Sequence, residues 1–176
     1  MSTAEKMEFK DEQAEEEQYL TFYLGSEMFA LGILNIKEIL QYGQLTTVPM
    51  MPVFIKGVIN LRGSVVPVVD LATRFSGQSN EITKKTCIVI IEVTTEEGKQ
   101  DVGVVMDSVS EVLEVPVSDI EPPPVFGAKI RVDFIQGMAK IGDNVVIILN
   151  ADKVLSVEEI AMVSQNELVK NKDENT

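Results

Sequence analysis

The stretch Phe54-Ile55-Lys56-Gly57-Val58-Ile59-Asn60-Leu61-Arg62-Gly63-Ser64-Val65-Val66-Pro67-Val68-Val69-Asp70 reads as two apolar strands joined by a tight turn at Arg62-Gly63. A turn with glycine between β-branched runs is a hairpin signal. Asp70 stands where the N-cap of a short helix belongs, ahead of Leu71, Arg74 and Phe75. The scheme returns 80 residues later, where Phe54–Ser76 aligns without a gap on Phe134–Ser156. Phe54/Phe134, Ile55/Ile135, Gly57/Gly137, Val65/Val145, Val66/Val146 and Ser76/Ser156 are identical. Arg62-Gly63-Ser64 falls on Gly142-Asp143-Asn144, a strong turn sequence, and Asp70 falls on Asn150, a second capping residue. Upstream, Phe29–Leu40 aligns with Val102–Leu113 at an offset of 73, placing Glu38 on Glu111, Leu40 on Leu113 and Ile36 on Val109. The seven-residue difference between the offsets is taken up around Pro122-Pro123-Pro124. A turn and a cap that stay in step over the whole register indicate an internal duplication.

Outward from this core motif the pattern stays β-rich. Tyr19–Leu24 reads as a strand, Gly25-Ser26-Glu27 as a turn and Met28–Leu31 as a returning strand. A short helical turn is expected around Ile33–Ile36, continuing as a strand to Tyr42. After a polar break at 77–85, strands near 86–93 and 100–107 are joined at Glu96-Glu97-Gly98. Short strands, Gly/Pro turns and two copies predict a mainly β fold of two small barrels, the first at about 18–80 and the second at about 84–156. Units of about 60–70 residues are marginal alone, so the two should share an apolar interface. Ser156-Val157-Glu158-Glu159 is a capping box and predicts a C-terminal helix at about 156–165. Residues 1–17 carry seven acidic and two basic side chains and little apolar content, so a disordered acidic tail is expected, with a polar tail at 166–176.

Composition narrows the chemistry. Fifteen Lys+Arg against 28 Asp+Glu leave a net charge of −13, which opposes binding to nucleic acid or anionic lipid. The chain has no histidine, hence no imidazole base or metal ligand. Its single cysteine, Cys87, excludes an internal disulfide and a multi-thiolate metal site. No apolar run approaches the roughly 20 residues of a membrane helix, and the acidic N-terminus does not read as a signal peptide, so a cytoplasmic protein is expected.

Individual residues admit two readings each. Cys87, inside Cys87-Ile88-Val89-Ile90-Ile91, is either a buried inert thiol or a nucleophile, and the apolar run favours the first. Asp101, Asp107 and Glu111 are close enough in sequence to suggest paired carboxylates of a hydrolase, or simply solvated acids. Arg62, one of three arginines, occupies a hairpin tip, where a guanidinium is either solvated or docked on a partner. Gly57 and Gly63 serve backbone needs. Ile33, Ile36 and Ile39 flank Glu38, and form either core or, if partly exposed, a docking groove.

Gly57-Val58-Ile59-Asn60-Leu61-Arg62-Gly63 with Val65–Leu71 resembles the signature of CheW-like domains, the coupling modules of bacterial chemotaxis, found also in CheA and CheV. The resemblance runs from about Tyr19 to Val163, including Phe29–Leu40 and the degenerate second copy. It implies two five-stranded SH3-like β-barrels about a pseudo-twofold axis, with short helices and a C-terminal helix. It also implies a non-catalytic adaptor with no cofactor and no metal. The expected partners are the cytoplasmic tip of a chemoreceptor (a methyl-accepting chemotaxis protein) and the regulatory domain of the histidine kinase CheA, whose activity the adaptor controls. A chain of 176 residues leaves no room for a kinase or receiver domain, so a stand-alone adaptor is expected, recruited from the cytoplasm to receptor arrays at the inner face of the membrane. Carried onto matching positions, the receptor-binding groove comprises Ile33, Ile36, Glu38, Ile39, Arg62 and Val109, supported structurally by Gly57, Asn60 and Gly63. The rival reading is a small-ligand-binding β-barrel.

Overall fold

The computed structural model describes residues 16–123 and 132–156. Among these described residues eleven strands and two short α-helices follow one another: β1 (Glu16–Leu24), β2 (Glu27–Gly32), β3 (Ile36–Gln41), β4 (Ile55–Leu61), β5 (Ser64–Asp70), α1 (Leu71–Ser76), β6 (Cys87–Thr95), β7 (Gly98–Met106), β8 (Ser108–Pro116), β9 (Ile120–Glu121), β10 (Ile135–Ile141), β11 (Asn144–Leu149) and α2 (Ala151–Val154). The helical turn expected near Ile33 is a 3-10 turn at Ile33–Asn35. Asp70 caps α1 as expected, its carboxylate accepting from the Ala72 amide at 3.1 Å, and Asn150 caps α2.

The strands form two sheets, ordered β8-β1-β2-β11-β10-β9 and β3-β6-β7-β5-β4. They are equivalent pair by pair. Val68↔Gly103 in the parallel β5/β7 contact matches Ile148↔Ala30 in β11/β2, at the same offsets of 80 and 73 seen in the sequence. The β-bulge at Ile55/Gly57 matches that at Ile135/Gly137. Both sheets close into SH3-like barrels. The chain beyond β3 returns to β4 through the Thr46–Val58 bridge, and the chain beyond β8 returns to β10 through Glu121–Met138. At each closure a glycine lies beneath the crossing segment. A Cβ on Gly57 would come within 2.5 Å of the Thr46 carbonyl oxygen, and one on Gly137 would strike the Ile120 side chain. The missing side chain of Gly57 therefore serves the closure of its barrel, since a Cβ there would collide with the crossing backbone.

The division of the chain between the barrels corrects the sequence reading. The barrels are not residues 18–80 and 84–156. One contains β1–β2 together with β8–β11, and the other is the continuous run β3–β7, so the two copies exchange their first hairpins. Connection length explains the exchange. If the first copy closed on itself, β3 would lie beside β1 and run parallel to β2. The chain would then have to travel back along the six residues of β2, about 20 Å. The three-residue link Ile33–Asn35 reaches only about 10–14 Å, so β3 runs onward into the other barrel. The expected tail is also two residues shorter, because Glu16 and Glu17 pair with Pro116 and Val115 in β1/β8. The rest of that tail, the C-terminal helix beyond Ser156 and the polar tail lie outside the described residues.

Three apolar clusters result. Tyr19, Ala30, Val115, Ala139, Val146 and Ile148 fill one barrel, while Val66, Val68, Ile88, Ile90 and Val105 fill the other. Between them lies the largest cluster, including Leu20, Phe22, Phe29, Leu31, Val89, Ile91, Val102, Val104 and Met106. Strands β1 and β6 thus bury both faces, one inside a barrel and one on the shared interface. Their apolar runs are therefore continuous rather than alternating. Arg74 of α1 lies over Phe54 at 4.5 Å and over its repeat partner Phe134 at 4.8 Å, joining the two copies at the interface.

Candidate docking groove between the barrels

The strands β3 and β8 are equivalent, and each is an outer strand in its sheet order. Between them lies an open cleft of about 510 Å³, lined by Tyr23, Ile39, Lys85, Cys87, Ser108, Val109 and Ser110. Ile39 and Val109 therefore meet from opposite barrels, as a two-sided groove requires. Ile39 is 50% exposed, and Val112, its equivalent at the 73-residue offset, is 46% exposed. Ile36 and Val109 are both half-buried and rest against the shared core, but only Val109 lines the cleft; Ile36, like Glu38 and Arg62, is not among its lining residues.

The structure does not bring Ile33 to this cleft. It lines a separate cleft of about 900 Å³ with Tyr19, Gly32, Leu34, Leu149 and the acidic side chains Glu16, Glu17, Glu114 and Asp152. The separation follows from the 3-10 turn, which takes Ile33 off the strand before the alternation of β3 begins.

Arg62 and Glu38 come together: the Arg62 guanidinium donates to Glu38 Oε1 at 2.8 Å. Glu38 is in β3 and Arg62 is in the turn that follows β4, strands at opposite ends of the sheet order, so this contact lies across the closure of the barrel. The hydrogen bond donated to Glu38, together with the negative charge of that carboxylate, holds the guanidinium pKa above its ordinary value. The turn carrying Arg62 is of the kind that needs positive φ at both central residues; φ is +51° at Arg62 and +88° at Gly63. Asn60 Oδ1 accepts from the Gly63 amide at 3.0 Å and fixes the loop. The repeat places Gly142, φ +62°, opposite Arg62. A long side chain at a left-handed position is unfavourable for an L-residue, and an exposed ion pair offsets little of that. Stability therefore does not account for this arginine. Arg62→Gly is expected to leave the melting temperature within about 2 °C of the parent while weakening partner docking, tested by thermal unfolding alongside a binding titration. A large drop in melting temperature would show that the Glu38 pair holds the fold.

The remaining candidates have structural partners. Burial pushes the Cys87 thiol pKa up, so the cysteine forms part of the groove as an unreactive side chain. Asp101 binds Lys37 at 3.0 Å, and Asp107 accepts from the Gly25 amide at 2.6 Å and the Asn80 amide at 2.8 Å. These carboxylates hold separate elements and do not form a hydrolytic pair with each other. Sequence reasoning missed Tyr23, Lys85, Ser108 and Ser110 as lining residues. The two serines flank Val109 and were within reach of the motif, whereas Tyr23 and Lys85 arrive only through tertiary packing.

Two closed SH3-like barrels facing each other across a groove of edge strands define a two-barrel β scaffold. The profile described as CheW-like domain matches residues 18–159, and the chain belongs to that family, the coupling adaptors of chemotaxis. The chemotaxis protein CheW of Klebsiella aerogenes is 35% identical over 147 residues, covering 84% of this chain and 86% of the relative. That of Bacillus subtilis is 33% identical over 142 residues, covering 81% and 88%. The crystal structure of the scaffolding protein TtCheW from Thermoanaerobacter tengcongensis superposes with a TM-score of 0.70 at 34% identity, covering 76% of this chain and 84% of that one.

Proposed function

We propose that this chain couples a chemoreceptor to a histidine kinase by position alone, without catalysis. The groove between β3 and β8 grips the helical hairpin at the receptor's cytoplasmic tip, and a barrel face holds the regulatory domain of CheA. The protein works from the cytoplasm at the inner face of the membrane. Among the described residues no helix is long and apolar enough to cross a membrane. The observation that carries the reading is the meeting of Ile39 and Val109 from equivalent strands of opposite barrels, in a chain of the CheW-like family. An apolar cleft of this shape suits an amphipathic helix laid along it. The small-ligand reading is not supported, because the barrel interior that would hold a ligand is occupied by Val66, Val68, Ile88, Ile90 and Val105.

Reconstitution tests the proposal. Receptor-containing membranes and purified CheA are mixed with and without this chain, and kinase autophosphorylation is followed on adding attractant. Receptor control of the kinase should appear only when the chain is present. Equal kinase activity and equal attractant response in both mixtures would overturn the proposal.

A further inference from the structure

Lys85 is the one charged side chain among the residues lining the groove, and among the described residues it forms no ion pair. Lys37 is engaged by Asp101 at 3.0 Å and Glu92 at 3.3 Å, Lys56 by Asp70 at 3.7 Å, and Arg62 by Glu38 at 2.8 Å, while the exposed Lys84 next to Lys85 does not line the groove. The backbone around Lys85 is held in place. Its amide donates to Thr83 Oγ1 at 3.1 Å, the Thr83 amide donates to Thr86 Oγ1 at 2.9 Å, and the Thr86 amide donates to the Thr83 carbonyl at 3.2 Å. Thr86 is buried, so this turn is fixed to the barrel while the Lys85 side chain is exposed at the groove.

We infer that Lys85 is the specificity-determining charge of the groove and selects a receptor helix that carries a carboxylate beside its apolar contact residues. The inference rests on the groove being the receptor site and adds the chemistry the occupant must have. In a protein of net charge −13, an acidic segment is repelled at long range. A local cation with no internal carboxylate partner reverses that sign at the one place where the apolar contacts form. Arg62, already held by Glu38, acts as a positioning residue for Glu38 and the hairpin tip. Charge pairs at the rim of an interface govern association rate and partner choice, and respond to salt.

The test is a titration of the full chain with a helical-hairpin fragment of a chemoreceptor's cytoplasmic tip, at low and at moderate salt. Lys85→Glu is expected to weaken binding about 20-fold or more at low salt, Lys85→Gln about 5-fold, and both to flatten the salt dependence. Replacing the facing acidic residue of the hairpin by lysine should restore affinity to Lys85→Glu. Melting temperatures should not move, because Lys85 is exposed and its backbone hydrogen bond survives substitution. If Ile39→Asp abolishes binding while Lys85→Glu binds as the parent does, the role of Lys85 is overturned and the groove stands. Should both variants bind as the parent does, the groove reading falls, and the role of Lys85 falls with it.

Discussion

Cutting the chain in the polar loop after α1, to give residues 1–80 and 81–176, is expected to yield two halves that are each unfolded alone and fold only when mixed. Each half corresponds to one copy of the duplication, yet neither contains a complete sheet. The first lacks β6 and β7, which are the central strands between β3 and β5. The second lacks β1 and β2, which stand between β8 and β11. Self-closure would need a crossover that the Ile33–Asn35 link and the single residue Asp107 between β7 and β8 are too short to make. Each half would also expose its share of the central cluster, including Phe22, Phe29 and Leu31 from one and Val89, Val102 and Met106 from the other. Circular dichroism and amide NMR dispersion of each half, and of the equimolar mixture, decide the matter. A cooperative thermal transition in either half alone would show that the exchange of hairpins is optional.

Ile39→Asp is expected to weaken binding of the receptor tip by about 30-fold or more, roughly 2 kcal/mol, while the protein stays folded. Half of the Ile39 surface is already in water, so a carboxylate there costs the free protein little. In the complex the same carboxylate would be desolvated at the apolar contact, and Lys85, which lines the same cleft, would be drawn to it and away from the carboxylate of the receptor helix. Ile36, which the sequence reading weights equally, is the poorer probe: it packs on the shared core, and a charge there would damage the fold and the groove together. The comparison of Ile39→Asp and Ile36→Asp therefore separates docking from stability, read as affinity by titration calorimetry and as melting temperature by thermal unfolding. Parent-like affinity for Ile39→Asp would remove the groove from the receptor interface.

Much of the fold was legible because the signals were local. The hairpin at Arg62-Gly63, the caps at Asp70 and Asn150, and the register of the two copies depend on turn chemistry and periodicity within a few residues. All are found in place. Aligning Phe29–Leu40 with Val102–Leu113 placed β3 on β8, the two strands that border the cleft, although the residue that lines it with Val109 is Ile39 and not Ile36. Ile33 was misplaced because apolar spacing across 33–39 does not reveal where the 3-10 turn ends and the strand begins. Lys85 and Tyr23 were invisible because nothing in their neighbourhood distinguishes them from other surface residues until β1 and β6 are brought alongside β3 and β8.

The sequence by itself determined the strand content, the duplication, the turn that presents Arg62 and the membership of the CheW-like family, because each is a property of a short segment or of a comparison between segments. Only the tertiary structure decided which copy supplies each hairpin, which glycines are crossed by a closing segment, and which side chains face one another over the groove. Strand pairing is chosen by the geometry of the links and by a shared core that needs both copies at once. The hairpins β1–β2 and β6–β7 occupy equivalent places in the two sheets, and the short links at Ile33–Asn35 and Asp107 settle which copy supplies each.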